Sequence, residues 1–493
     1  MESIKLRWIR PRHPGLRWGD VRGKGIGLAT AAAAFLLLAG CAGDGPPKSA
    51  SSKSSAPRIP APWLSDPFPS TYHAYPGVPT LVTNVTIYDG EGGRIDGGSV
   101  LLADGKVQAI GKSVAAPAGA TVIDGTGKWI TPGIIDVHSH LGDYPSPAVK
   151  AHDDGNEATS PTTPDVWAEH SVWPQDPGFS RALANGGVTT MQILPGSANL
   201  MGGRSVTVKN VYARTAQGMK FPGAPYGFKM ACGENPKRVY GAKSREPSTR
   251  MGNVAVDRQT WQQAVEYRRR WEKYAKEGGD PPGRDIGMDT LAGVLDGRIL
   301  VHNHCYRADE MANVIDMAKE FGYRVTAFHH GVESYKIADL LRDNHVCAVV
   351  WADWYGFKME SYDGIPENLA ILQKTGTCAM IHSDDANGIQ RLNQEVAKAQ
   401  AAGRRAGIII PDEVAWEWLS FNPAKALGIA DRTGSLKPGK MADVVLWNGN
   451  PLSVYTRPDK VWIDGALLYD AHDPKRRPVS DFELGQPGEG DVK

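Results

Sequence analysis

The stretch TPGIIDVHSH, residues 131–140, runs an apolar segment straight into two histidines. Ile134, Ile135 and Val137 are strand-forming residues, and His138 and His140 follow with one serine between them. Side chains alternate along a strand, so residues two apart share a face. If that face lines a barrel interior, the two imidazoles can grip one cation, and the rest of the chain must supply its other ligands.

Downstream, strand-like runs recur at 187–194, 205–211, 227–232, 298–305, 323–328, 346–352 and 377–382. Helical periodicity fits ADEMANVIDMAKEFG, SYKIADLLRDN and IQRLNQEVAKAQAAG between the later ones. Strands alternating with helices over residues 131–432 predict an α/β fold, a (β/α)8 barrel. The NLMGGR stretch (199–204) reads as a glycine turn that either approaches substrate or only turns the chain. A long excursion, 233–297, interrupts the alternation and carries the polar helix DRQTWQQAVEYRRRWEKYAKEG, which is either a solvated surface element or a lid. Outside the barrel, residues 78–130 and 433–470 read as short strands broken by turns, including an Asp-Gly hairpin signal at ADGK. They predict one small β-sandwich built from both chain ends, followed by a polar tail over 471–493.

Catalytic groups of such barrels sit at the C-terminal ends of strands. Those ends carry His138 and His140, Glu234, His302 and His304, His329 and His330, and Asp384. Six of the chain's 13 histidines fall there, which packing does not explain and coordination by imidazole and carboxylate does. His302 and His304 share a face, so one ligates while the deeper His302 orients it; His382 stands in the same relation to Asp384. His329 and His330 are adjacent, so a continuing strand turns only one of them inward. For substrate, the candidates are Tyr240 beyond the fourth strand and Tyr306 and Arg307 beyond His304.

Lys and Arg total 55 against 54 Asp and Glu, which leaves no net field and argues against nucleic acid as a partner. The first forty residues read as targeting rather than fold. A basic region (Arg10, Arg12, Arg17, Arg22, Lys24) precedes the apolar run GLATAAAAFLLLAG, which ends at Cys41. Leu38-Ala39-Gly40-Cys41 resembles a bacterial lipobox, so Cys41 is the expected lipidation site. Residues 42–77 are expected to act as a flexible tether, holding the protein on a membrane in the periplasm or at the cell surface. Four further cysteines, Cys232, Cys305, Cys347 and Cys378, lie in apolar contexts and read as buried thiols.

The order DVHSH, barrel, two later histidine sites and HSDD, enclosed by terminal β-rich pieces, resembles the amidohydrolase superfamily of metal-dependent hydrolases over residues 78–470. ENPKRVYG, HCYRADEM, GVESYKIADLL and HSDD further resemble its secreted, imidazolonepropionase-like and peptidase-like bacterial branch. The resemblance implies one or two divalent ions, zinc first. His138 and His140 would hold one together with Asp384, and His304 and His330 a second. An anionic bridge completes such sites, and Glu234 is the favoured candidate, with Lys229, carboxylated by CO2, as its rival. The implied reaction is hydrolysis of a C–N bond in a small amide, cyclic amide or dipeptide-like substrate by a metal-activated hydroxide, with Asp384 as general acid and base. A metal-dependent deaminase is an alternative, weakened by Arg307 where such enzymes carry a glutamate; a catalytically inactive, lipid-tethered binding protein is another. A homo-oligomer is compatible with all three.

Overall fold

The computed structural model describes residues 58–476. The leader, the lipobox at Cys41, the first part of the tether and the tail beyond Arg476 lie outside the described residues. The chain begins with β1 (Thr80–Tyr88), β2 (Arg94–Ala103), β3 (Lys106–Gly111), β4 (Thr121–Asp124) and β5 (Trp129–Pro132). The barrel follows as β6 (Ile134–Ser139), β7 (Val188–Ile193), β8 (Met201–Lys209), β9 (Gly227–Ala231), β10 (Leu300–His304), β11 (Val325–His329), β12 (Cys347–Val350) and β13 (Ala379–Ile381). The described chain closes with β14 (Val444–Trp447), β15 (Pro458–Ile463) and β16 (Ala466–Asp470).

The two ends meet in one connected sheet, ordered β16-β15-β14-β5-β1-β2-β3 with β4 also on β1. Val82, Val85, Val100, Leu102, Leu446 and Trp462 form its core. Strand β5 pairs with β14 and leads within one residue into β6, so this sheet fixes where the DVHSH strand enters the barrel.

The barrel sheet runs β6 to β13 in sequence order, but it departs from the expected all-parallel pattern at β8. That strand is antiparallel to both β7 and β9. The link from β7 is too short for a crossover helix, so the chain can only fold straight back. The stretch expected as a turn therefore begins a strand at Met201. Its Gly203 has φ +117°, and a Cβ there would sit 2.3 Å from the Val166 carbonyl oxygen. Between the two edge strands, the Asp384 amide donates to the His138 carbonyl (3.0 Å). The Ser383 amide donates to Asp136 Oδ1 at 3.2 Å, and the Ser383 hydroxyl also bonds Asp136.

Three further expectations change. Residues 58–77 are not a leash. Trp63 is buried against Tyr267 and Trp271 and donates to Asp296 (2.6 Å), Asp66 pairs with Lys220 (2.8 Å), and Phe68 packs on Trp167 and His170. The polar helix of the excursion, Arg250–Glu277, is not wholly solvated: Val256, Trp261, Ala264, Tyr267 and Trp271 form a buried stripe, and Trp261 stacks on Tyr323. The four cysteines are two disulfides, Cys232–Cys305 and Cys347–Cys378. Residues 73 and 31 apart in sequence become neighbours because β9 pairs β10 and β12 pairs β13.

Candidate metal centre

At the C-terminal end of β6, alternation turns His138 and His140 to one side, and Asp384 meets both. Asp384 Oδ1 lies 3.3 Å from His138 Nε2 and 3.2 Å from His140 Nε2. Each imidazole is anchored through its other nitrogen. His140 Nδ1 is 2.8 Å from the Leu194 carbonyl oxygen, and His138 Nδ1 is 2.8 Å from His329 Nδ1. A second trio, His138, His330 and His382, also has ring nitrogens close enough to share an ion.

Two residues reach the site through left-handed backbone, His330 at φ +58° and Asp384 at φ +54°. Non-glycine residues are strained there, which is common where a side chain must be re-aimed. For His330 the consequence overturns the expected alternation. His329 ends β11 beneath His138, and the break after it swings His330 inward too, its ring stacked 4.4 Å from Trp351. His302 lies deeper, its Nδ1 2.9 Å from His329 Nε2.

Burial pushes the imidazoles of His138, His304, His329 and His330 well below their usual pKa, and His302 and His382 down to about 3. They are neutral and ligand-ready. Asp384 goes the other way. Burial raises it, but the contact with His140 Nε2 at 3.2 Å outweighs that and holds it below the usual carboxylate range. Among the described residues, His304 Nδ1, His330 Nδ1 and both nitrogens of His382 are buried without hydrogen-bond partners. Of these, His330 and His382 stand with His138 as one donor set, and His138 stands beside Asp384, an arrangement that fits a divalent cation.

Residues 129–468 match the Amidohydrolase family. This chain belongs to that family.

Amidohydrolase tasK of Hapsidospora irregularis is 31% identical over 432 residues, 80% of this chain, which spans only 43% of that protein's length. A solved amidohydrolase from Thermotoga maritima MSB8 is 36% identical with a TM-score of 0.74, over 79% of this chain and all of that one. A dihydroorotase of Lactobacillus acidophilus is 24% identical over 75% of this chain and 89% of its own length.

Other expected residues are placed differently. Glu234, the favoured bridge, begins the helix Glu234–Gly241 and faces Lys358 Nζ at 3.5 Å, outside both ligand trios. Its strand has ended, so an anion just beyond β9 turns away with the helix. Lys229, inside β9, stands at the site instead, its Nζ 3.4 Å from His138 Nε2. Burial pushes this amine down to about 7, against the pull of Asp384. His382 takes the place expected of His304 in the second trio, while His304 Nε2 faces Asn235 at 3.4 Å. Tyr240 is a buried anchor whose hydroxyl bonds the Ser160 carbonyl and Asn199, and Arg307 pairs with Asp309 at 2.9 Å on the surface. Tyr306 stays at the site, its ring 4.7 Å from His304.

Sequence reasoning missed Tyr144, whose ring lies 5.5 Å from His140, and the aromatic wall of Trp351, Trp354 and Phe357. The wall had a signal: WADWYGFKMESY (351–362) is unusually rich in rings for a loop.

Proposed function

We propose that this chain is a metal-dependent hydrolase that cleaves the C–N bond of a small amide, cyclic amide or dipeptide-like substrate. One observation carries the reading: a single carboxylate, Asp384, stands within 3.3 Å of both His138 and His140 in a pocket of neutral imidazoles. His138, His140 and Asp384 would hold one divalent cation, zinc by donor chemistry, and His330 and His382 with His138 a second. Bound there, the metal supplies Lewis acidity that polarises a carbonyl and acidifies water.

The chain's own groups do the rest. Asp384, ionised despite its burial, takes the proton of the attacking water and passes it to the leaving nitrogen, a role worth roughly 10²–10⁴ in rate. The Leu194 carbonyl and His329 hold His140 and His138 in the tautomer that leaves Nε2 free. Tyr306 and Trp351 wall the pocket beside His330 and keep bulk water from it. Lys229 takes the bridging role first given to Glu234. Its neutral amine nitrogen bonds the carbon of CO2 and sheds a proton, leaving a carbamate anion beside His138.

The test is metal content per chain, followed by turnover of N-acyl amino acids, dipeptides and hydantoins with and without a chelator. Hydrolysis that is lost on chelation and restored by zinc is expected. Stoichiometric metal with no turnover on any substrate sinks the hydrolase reading and favours a binding protein.

We also infer export, with the chain tethered by lipid at Cys41 in the periplasm or at the cell surface. The lipobox-like leader and two disulfides, which persist in oxidising compartments, support this. Cys41→Ala is expected to shift the protein from the membrane fraction to the soluble one.

A further inference from the structure

Beside Asp384 opens a cleft of about 480 Å³ lined by Tyr306, Trp351, Trp354, Tyr355 and Phe357, with Asp353 at its rim. Its rings are ordered rather than scattered. Trp351 stacks on His330, Trp354 stacks on Trp351 with centroids 5.6 Å apart, and Phe357 meets Trp351 edge-on at 5.9 Å. The inner rings, Tyr306 and Trp351, are buried, but Phe357 is 57% exposed and Trp354 39% exposed. Four aromatic side chains thus lead from solvent to the catalytic carboxylate. Exposed apolar rings in one contiguous surface mark a binding site. A mostly aromatic lining with two aspartates, Asp353 and Asp384, is the composition of a small-molecule pocket.

We infer that this cleft selects substrates carrying an aromatic group next to the scissile C–N bond, with Trp354 and Phe357 as the specificity-determining residues. The inference rests on the hydrolase reading for the reaction, and on the cleft alone for the recognition. A flat ring entering between Trp354 and Phe357 gains offset-stacked and edge-to-face contacts that an aliphatic group of similar size lacks. The occupant is a part of the substrate rather than another protein, because the cleft ends on Asp384 itself. Polar selection is weak here, since Lys358 already lies over the Tyr306 ring (4.2 Å) and faces Glu234, and Asp353 pairs with Lys398 (3.1 Å).

The experiment uses the zinc-loaded protein and two readouts. The first is kcat/KM for matched pairs, N-benzoylglycine against N-acetylglycine and N-acetylphenylalanine against N-acetylalanine. The second is calorimetric binding of phenylacetate against acetate, which needs no turnover. An aromatic preference on the order of 10-fold or more is expected in one pair and in binding. It should shrink toward parity in Trp354→Ala and Phe357→Ala, both exposed enough to fold, and persist in Tyr455→Ala, a 91% exposed residue outside the cleft. Hydrolysis without aromatic preference, or a preference indifferent to both substitutions, overturns the inference and leaves the hydrolase reading intact. Phenylacetate binding through Trp354 and Phe357 without hydrolysis of either pair does the reverse. Loss of self-association in Phe357→Ala with no aromatic binding assigns the rings to a second copy of the chain and overturns the inference.

Discussion

His138 Nδ1 and His329 Nδ1 lie 2.8 Å apart, so one imidazole orients another beneath the candidate metal centre. With a cation on His138 Nε2, as proposed, the His138 proton would sit on Nδ1 and be donated to His329, whose Nε2 proton would in turn go to His302. Metal-bound histidines usually donate this proton to a carboxylate, carbonyl or water. Here a second and third imidazole stand in that position. His329→Leu is expected to weaken zinc binding by roughly 10- to 100-fold in competition with a fluorescent chelator. His329→Gln, which keeps an acceptor, should recover part of that loss. Equal zinc affinity in all three proteins removes His329 from the site.

Asp384 contacts both histidines and, in the proposed reaction, moves the proton. Asp384→Asn keeps the shape and loses the charge, so turnover should fall by about 10²–10⁴ while the fold survives. Circular dichroism and a kinetic assay on the same preparation check it, and unchanged turnover would falsify the acid–base assignment.

The contrast between Lys229 and Glu234 separates two accounts of the bridge. Lys229→Met is expected to lose metal and activity together, whereas Glu234→Gln should change turnover only a few-fold, since its carboxylate faces Lys358. Native mass spectrometry should find Lys229 heavier by one CO2, and bicarbonate should raise the activity of metal-free protein on reloading. Activity lost in Glu234→Gln but kept in Lys229→Met would restore the original assignment.

Away from the site, Asp257 is buried beside Tyr323 and Trp261, with no partner for Oδ1. Burial raises its carboxyl well above the usual range. The folded chain then holds a proton that the unfolded chain releases, so this site stabilises fully below about pH 4 and progressively less as pH rises toward the folded value. Asp257→Asn does not titrate. Its Tm relative to the parent should climb between pH 4 and neutrality, by an amount matching about 1–3 kcal/mol. A flat difference across that range refutes the buried-acid account.

The disulfide Cys232–Cys305 joins strand ends beside His304. Replacing both cysteines by serine releases a loop of 73 residues and is expected to cost about 4 kcal/mol, read from denaturant midpoints with and without reductant.

Much of this was legible in the chain. DVHSH declared itself because strand alternation alone puts His138 and His140 on one face, and HSDD supplied the acid. The strands 298–305 and 323–328 were found close to their observed limits because both run apolar into histidine. What alternation could not reveal was its own failure. His330 and Asp384 enter through positive φ, which no residue pattern announces. Strand β8 reads like any other strand, and its reversed direction depends on the length of a link rather than on its own residues. Glu234 is favoured by its charge, but the helix that begins there turns it toward Lys358, while Lys229 Nζ lies 3.4 Å from His138 Nε2.

The segment that composition assigns to a leash is, from Arg58 onward, the last piece of the outer wall, with Trp63 roofing Tyr267 and Trp271. Clipping the chain just ahead of Thr80 would strip that roof and leave a greasy gap over the long helix. Nicked material that clumps should therefore be read as damage to the folded body, and a soluble shortened form is best sought by cutting upstream of Arg58.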